Sequence, residues 1–201
     1  MRIVITGSHG TGKTTLGKNL FRYLQEGKMK VGIAGSHGTG KTTLSKLLAG
    51  KNNWRYLPEA PLQAMTRGFP INEETSVETE LWIFAKQIEM EMFTPESWVA
   101  DKCLIDLLAY ARYLMPNERA LLEILTKIVE RNAVYDVVIY LPAGEFPIED
   151  DGFRSTDPVF QEAIDREIVR IMHEMGIEYY KIVGTREERL EKAKIACQSA
   201  L

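Results

Sequence analysis

The groups in this chain best suited to chemistry stand in one stretch written twice. Residues 7–16 and 35–44 both read GSHGTGKTTL, and each copy contains the spacing G-x-x-x-x-G-K-T. Glycines at these positions let successive backbone N–H groups converge on phosphate oxygens, and a helix beginning at the lysine adds the positive end of its dipole. In the later copy Gly35, Ser36, His37, Gly38, Thr39, Gly40, Lys41, Thr42 and Thr43 would form that cradle. Lys41 would reach the β- and γ-phosphates and the Thr42 hydroxyl would ligate Mg²⁺. In the earlier copy Gly7, Gly10, Gly12, Lys13 and Thr14 offer a possible second site of the same kind. His9 and His37 occupy a variable position of the loop, where the backbone matters most.

A phosphate cradle works only between a strand and a helix. RIVIT precedes one copy and KVGIA the other, and helical stretches follow at 13–26 and 41–49. Further strand-like runs lie at 54–57, 97–100, 135–141 and 177–183, with YDVVIYL and IEYYKIV the clearest. Helical patterns fill 75–93, 102–114, 117–131, 158–175 and 186–197. Alternating strands and amphipathic helices predict an α/β fold of three layers, a mostly parallel sheet covered on both faces. Ligands of such sheets bind at the carboxyl ends of the strands, where both cradles fall.

Three more stretches reach that edge. In SWVADK, Asp101 closes an apolar strand, near where Mg²⁺ and a γ-phosphate would lie; its alternative role is a helix N-cap. In WRYLPEAPLQAMTR, the carboxylate of Glu59 could accept hydrogen bonds from substrate hydroxyls and Arg67 could pair with an acid, or both could form ordinary surface salt bridges. GEFPIEDDGFRSTDPVF reads as a lid whose Arg154 could neutralise charge on a transferred phosphoryl group, or as a solvated loop with Arg154 paired to Asp150 or Asp151.

Composition narrows the function classes. The chain has 201 residues and a formal net charge of −3, with no long basic block to suggest a nucleic-acid groove or an anionic membrane surface. No apolar run approaches the roughly 20 residues that span a bilayer. Cys103 and Cys197 form no metal-ligand pattern and read as reduced thiols of a cytoplasmic protein.

Taken together, GSHGTGKTTL, LPEA, VADKCLIDLLAY, DDGFR and VGTREERL resemble the P-loop kinase-like group that includes the ribosylnicotinamide kinase domain. They are more distantly similar to deoxynucleoside and thymidylate kinases. The resemblance covers residues 29–198. It implies a five-stranded parallel core, ATP and Mg²⁺ as cosubstrates, and phosphoryl transfer to a small nucleoside, nucleotide or ribosylnicotinamide-like acceptor. By the same resemblance Asp101 handles the acceptor hydroxyl or the metal, Glu59 is a substrate-binding acid and Arg154 is the lid arginine. Gly184 to Arg189 form the loop beside adenine. The family's Asp-Arg pair after the third strand is Asp101-Lys102 here, which exchanges a bidentate fork for a point charge. Other readings of the same motifs are an ATP-binding regulatory or assembly ATPase and a non-catalytic scaffold with a duplicated loop.

The resemblance treats residues 29–201 as the kinase-like domain and residues 1–28 as a surplus strand–loop–helix, from duplication or deliberate joining. An extra strand cannot share the centre of the sheet with its twin. It must take an edge, displace the twin, or enter a second molecule, which would make a strand-swapped homodimer. Loop 35–42 connects directly to Glu59 and the later motifs, so it is taken as the working copy. Lys41→Ala should therefore abolish nearly all phosphoryl transfer while leaving the fold intact, and Lys13→Ala should do far less. An ATP-consumption assay on both variants checks this, and the reverse ranking would exchange the roles of the two loops.

Overall fold

The computed structural model describes residues 28–71, 75–147 and 155–200. The copy of the repeat within residues 1–27, with its expected extra strand and its site at Gly7–Thr14, lies outside the described residues, as does Arg154.

Five short runs form the strands β1 (Lys30–Ala34), β2 (Arg55–Leu57), β3 (Trp98–Asp101), β4 (Val137–Tyr140) and β5 (Tyr180–Lys181). All pair in parallel, in the order β2-β3-β1-β4-β5. The α/β fold class, three layers around a parallel sheet, is thus the one expected. The strand leading into loop 35–42 holds the centre, with Gly32 registered against Ala100 on one side and Val138 on the other. This register brings Asp101, Gly35 and Leu141 to a single edge.

Seven helices of the described chain cover the sheet: α1 (Lys41–Asn52), α2 (Ala60–Met65), α3 (Val77–Phe93), α4 (Leu104–Leu114), α5 (Arg119–Asn132), α6 (Pro158–Glu174) and α7 (Arg186–Ser199). Alternation along the strands divides the core. Val31, Ile33, Val99, Val137 and Ile139 pack with Leu44 and Leu48 of α1 and Ala193 and Ala196 of α7. Ala34, Val138 and Tyr140 face α3 to α6. Helix α4 buries Leu104, Ile105, Leu107, Leu108, Ala109 and Ala111. It is apolar nearly all round because it is enclosed by the sheet and neighbouring helices. Helix α5 lies outside it and needs only one stripe, Leu121, Leu125 and Val129.

Some local expectations change. The run at 177–183 contributes only two strand residues, because β5 is an edge strand with β4 as its partner. Helix α2 has six residues and Pro61 in its first turn, too short for a periodic signal. Asp101 is not a helix cap: α4 starts three residues later, capped by Cys103 in a capping box closed by Asp106. Each fully buried leucine contributes about 1.5–3 kcal/mol through burial. Leu108→Ala should lower the unfolding free energy by about 2–5 kcal/mol, whereas Ile124→Ala on the exposed side of α5 should stay within about 0.5 kcal/mol. Urea titrations compare the two, and equal losses would contradict this division of core and surface.

Candidate active site

Loop 35–42 is built around two backbone requirements. A Cβ at Gly35 would come within 2.4 Å of the Leu141 carbonyl oxygen of the neighbouring strand end. Gly40, with φ of 86°, is the N-cap of α1 and adopts the left-handed conformation that side chains rarely take. Distant side chains then fix the loop. The Gly35 N–H donates to Asp106 Oδ1 (2.8 Å), and the His37 N–H donates to the Tyr110 hydroxyl (3.1 Å). The His37 carbonyl accepts from Gln161 Nε2 (2.7 Å), and that of Thr39 from Arg189 Nη1 (2.7 Å). His37 Nδ1 lies 3.0 Å from the Tyr110 hydroxyl and its ring stacks on Phe160. The histidine thus anchors the loop through its ring as well as its backbone.

Lys41 turns inward and donates to the Ser36 carbonyl. Burial lowers its ammonium pKa to about 8, against the pull of Asp106 and more distant carboxylates. A cleft of about 370 Å³ opens over the loop, with Lys41, Thr42, Glu59, Asp101, Phe146 and Arg186 among its walls. A smaller cavity of about 50 Å³ lies behind, between Glu80, Ile83, Leu107, Tyr110 and Phe160. Three described residues, His37, Glu59 and Lys102, line both.

The structure thus brings Glu59, Asp101 and Lys102 to the loop. Glu59 is buried and pairs with Lys102 Nζ at 3.4 Å, so its ion pair is an interior one. The Lys102 ammonium also sits 4.4 Å from the centre of the Tyr110 ring. Burial and the charge of Glu59 raise the Asp101 pKa, while Lys41 and hydrogen bonds from Thr42 and Tyr56 pull it down. Asp101 Oδ2 accepts from the Tyr56 hydroxyl at 2.9 Å, and buried Oδ1 has no hydrogen-bond partner among the described residues. No cluster of three or more His, Cys, Asp or Glu among the described residues could hold a metal by itself. A hydroxyl beside one open carboxylate oxygen instead suits Mg²⁺, which keeps waters and phosphate oxygens as ligands.

The 184–189 loop reaches the same cleft. Gly184 has φ of 114°, and its carbonyl accepts from Arg189 Nε at 2.9 Å. Arg189 lies 4.4 Å from the centre of the Phe146 ring, so it joins this loop to the phosphate loop and to one cleft wall. Arg67 stays apart: its guanidinium lies over Trp82 and donates to the Gln63 carbonyl. Sequence reasoning missed Asp106, Tyr110, Tyr56, Glu80 and Phe146. An acid in the first turn after VADKC was a usable sign of Asp106. Nothing local marks the others, whose contacts are all distant in sequence.

Comparison with known proteins agrees with this architecture. The sequence pattern of the AAA domain family matches residues 30–189. Among solved structures, a NadR protein in complex with NR is similar at 18% identity and a TM-score of 0.73, over 93% of this chain and 58% of that one. The deoxyadenosine kinase from M. mycoides with bound dATP is similar at 15% identity and 0.59, over 83% and 97% of the two chains. The thymidylate kinase from Ehrlichia chaffeensis is similar at 18% and 0.59, over 84% and 98%. This chain spans less than two thirds of the NadR protein's length. At these identities the likeness speaks for the fold, a P-loop kinase architecture with a five-stranded parallel sheet. A search of the curated proteins found no match.

Two buried acids on α3 make stability depend on pH. Burial raises the Glu80 carboxyl to about 7 and that of Glu91 to about 8. A raised acid binds its proton more tightly when folded, so its contribution is complete below the ordinary value of 4.5 and is lost as pH rises through the folded value. Stability from these groups should therefore fall between about pH 4.5 and 8, by at most about 1.4 kcal/mol per unit for each. Glu91→Gln should flatten the profile of urea midpoints across this window, and parallel profiles would contradict the shift.

Proposed function

This chain belongs to the AAA domain family, and from that membership and the shape of the site we propose that it is an ATP-dependent kinase of a small nucleoside-like acceptor. Nucleosides, nucleotides and ribosylnicotinamide-like compounds are the acceptor class. The observation that carries the proposal is the pair of cavities meeting at Glu59 and Lys102. A nucleotide switch needs only the cleft over the phosphate loop, whereas group transfer needs a second compartment opening onto the same phosphate.

In this reading the triphosphate lies along Gly35–Thr43, its β- and γ-oxygens on the backbone N–H groups and on Lys41. Phe146, Arg186 and Arg189 line the same cleft and would flank the nucleoside end. Mg²⁺ would be held by Thr42 and Asp101, supplying charge neutralisation when bound. Asp101 lines only the first cleft and Glu59 lines both, which divides their work. Asp101 serves the metal side, and Glu59 accepts the hydrogen bond, then the proton, of the acceptor hydroxyl. Lys102 stands where that hydroxyl would meet the γ-phosphoryl group, and its ammonium can exchange Glu59 for phosphate oxygens. Arg154 remains in the proposal as a cation over the transferred group. Positioning and electrostatics account for most of such catalysis, since phosphoryl transfer asks for little covalent help.

ADP production measured over a panel of nucleosides, nucleotides and ribosylnicotinamide, each with ATP and Mg²⁺, tests the proposal. An acceptor that stimulates ADP production is the expected outcome. Nucleotide-dependent self-association with no acceptor effect would favour a regulatory ATPase. Glu59→Gln should lower kcat by about 100-fold or more while ATP-analogue affinity stays within about threefold. An unimpaired Gln variant would remove Glu59 from the proton-accepting role.

A further inference from the structure

Lys102 holds an uncommon backbone. Its φ is 72°, in the left-handed region that residues other than glycine rarely occupy, and such conformations persist where the surroundings over-determine them. Three consecutive backbone groups are held here by buried or half-buried side chains. The Lys102 carbonyl accepts from Gln87 Nε2 at 3.2 Å, the Cys103 N–H donates to Asp106 Oδ2 at 2.9 Å, and the Leu104 N–H donates to the Tyr135 hydroxyl at 3.0 Å. Gln87 and Tyr135 in turn both donate to Glu91, at 2.7 Å and 3.1 Å.

The direction of the Gln87 amide follows from its neighbours. Its nitrogen serves two acceptors, while its buried Oε1 has no hydrogen-bond partner among the described residues. A flipped amide would turn that oxygen toward the Lys102 carbonyl, an acceptor that cannot donate to it. Helix α3 also leaves Gln87 and Glu91 on a stripe that includes buried Phe84, where apolar residues would give a simpler core. A buried polar group with an unused acceptor asks for a reason beyond packing.

We propose that Gln87, braced by Glu91 and Tyr135, is a positioning residue that holds the Lys102 peptide so that the ammonium stands at the junction of the two cavities. The proposal rests on the kinase reading for what Lys102 does there. Gln87 touches neither cavity, and its effect passes through the backbone it grips.

Two measurements test this, one independent of any acceptor. Acetic anhydride labelling followed by mass spectrometry reads the exposure of individual lysines. In Gln87→Leu, Lys102 should label at least tenfold faster than in the unaltered chain, while buried Lys41 keeps its rate. Gln87→Met provides a second variant of similar shape should the leucine variant fold poorly. Unchanged labelling of Lys102, or equal increases at Lys41 and Lys102, would overturn the proposal, the latter because it marks general loosening. The second measurement is kinetic. Gln87→Leu should lower kcat at least tenfold with both KM values within threefold, and should add less than threefold in a Lys102→Ala background. Equal losses in the two backgrounds would make Gln87 merely structural. Failure of every acceptor with the unaltered chain would instead overturn the kinase reading, leaving the labelling result to decide on Gln87.

Discussion

The carboxylate of Asp106 joins the two turns on which the site depends. One oxygen accepts the Gly35 N–H, where the central strand enters the phosphate loop, and the other accepts the Cys103 N–H, just past β3's Asp101 and the following Lys102. Fully buried, it is costly to ionise, and burial raises its pKa while Lys41 and these N–H groups oppose the rise. A neutral side chain of similar shape could not accept from both turns with both oxygens. The loop that would hold phosphate and the residues that would use it therefore share one anchor, and a shift at either is felt by the other.

Charge at this edge is closely balanced. Lys41 and Lys102 face Glu59, Asp101 and Asp106, all buried. Lys102 lowers the pKa of Lys41, and Glu59 raises that of Asp101, so like charges are held together against their preference. Such crowding is usual where groups must act on a highly charged ligand. In the proposed reaction a polyphosphate brings oxygens for both lysines, and a divalent cation offsets the carboxylates. The unfavourable pairs then relax when substrate binds. The bulk of the fold, with α4 packed on one face and α1 and α7 on the other, keeps them in place meanwhile.

Much of this was legible in the sequence, for reasons that are physical. The glycine spacing after an apolar run marks a strand–cradle–helix because no other local structure uses those glycines so economically. Once the sheet is parallel, every strand end points to one edge, which gathers Glu59, Asp101 and loop 35–42 without further information. The loop ending at Arg189 came from family resemblance alone, and its contact with the Thr39 carbonyl was not foreseeable from spacing. Glu80, Gln87 and Glu91 are polar residues of the helical pattern at 75–93, yet all are buried. Burial of a polar residue is decided by a partner elsewhere in the chain, and periodicity carries no record of that partner. Asp101 as a cap failed for a related reason: the left-handed turn at Lys102 inserts two residues between strand and helix, and a lysine gives no sign of that conformation.

The same dependence on distant partners bears on the repeated decapeptide. Its ten residues carry the glycines, the lysine and the threonine, but not the groups that shape residues 35–42. Those groups come from 71 positions away in Asp106, 73 in Tyr110, 124 in Gln161 and 150 in Arg189. One chain contains each of them once. Two identical copies cannot both be held by a single Asp106 carboxylate oxygen, a single Tyr110 hydroxyl and a single Arg189 fork. Identity of sequence gives the copies equal local preference for a phosphate cradle, but the groups that hold residues 35–42 are supplied from elsewhere in the chain. In the described residues, loop 35–42 has Glu59, Asp101 and Lys102 around it and is held by these distant residues.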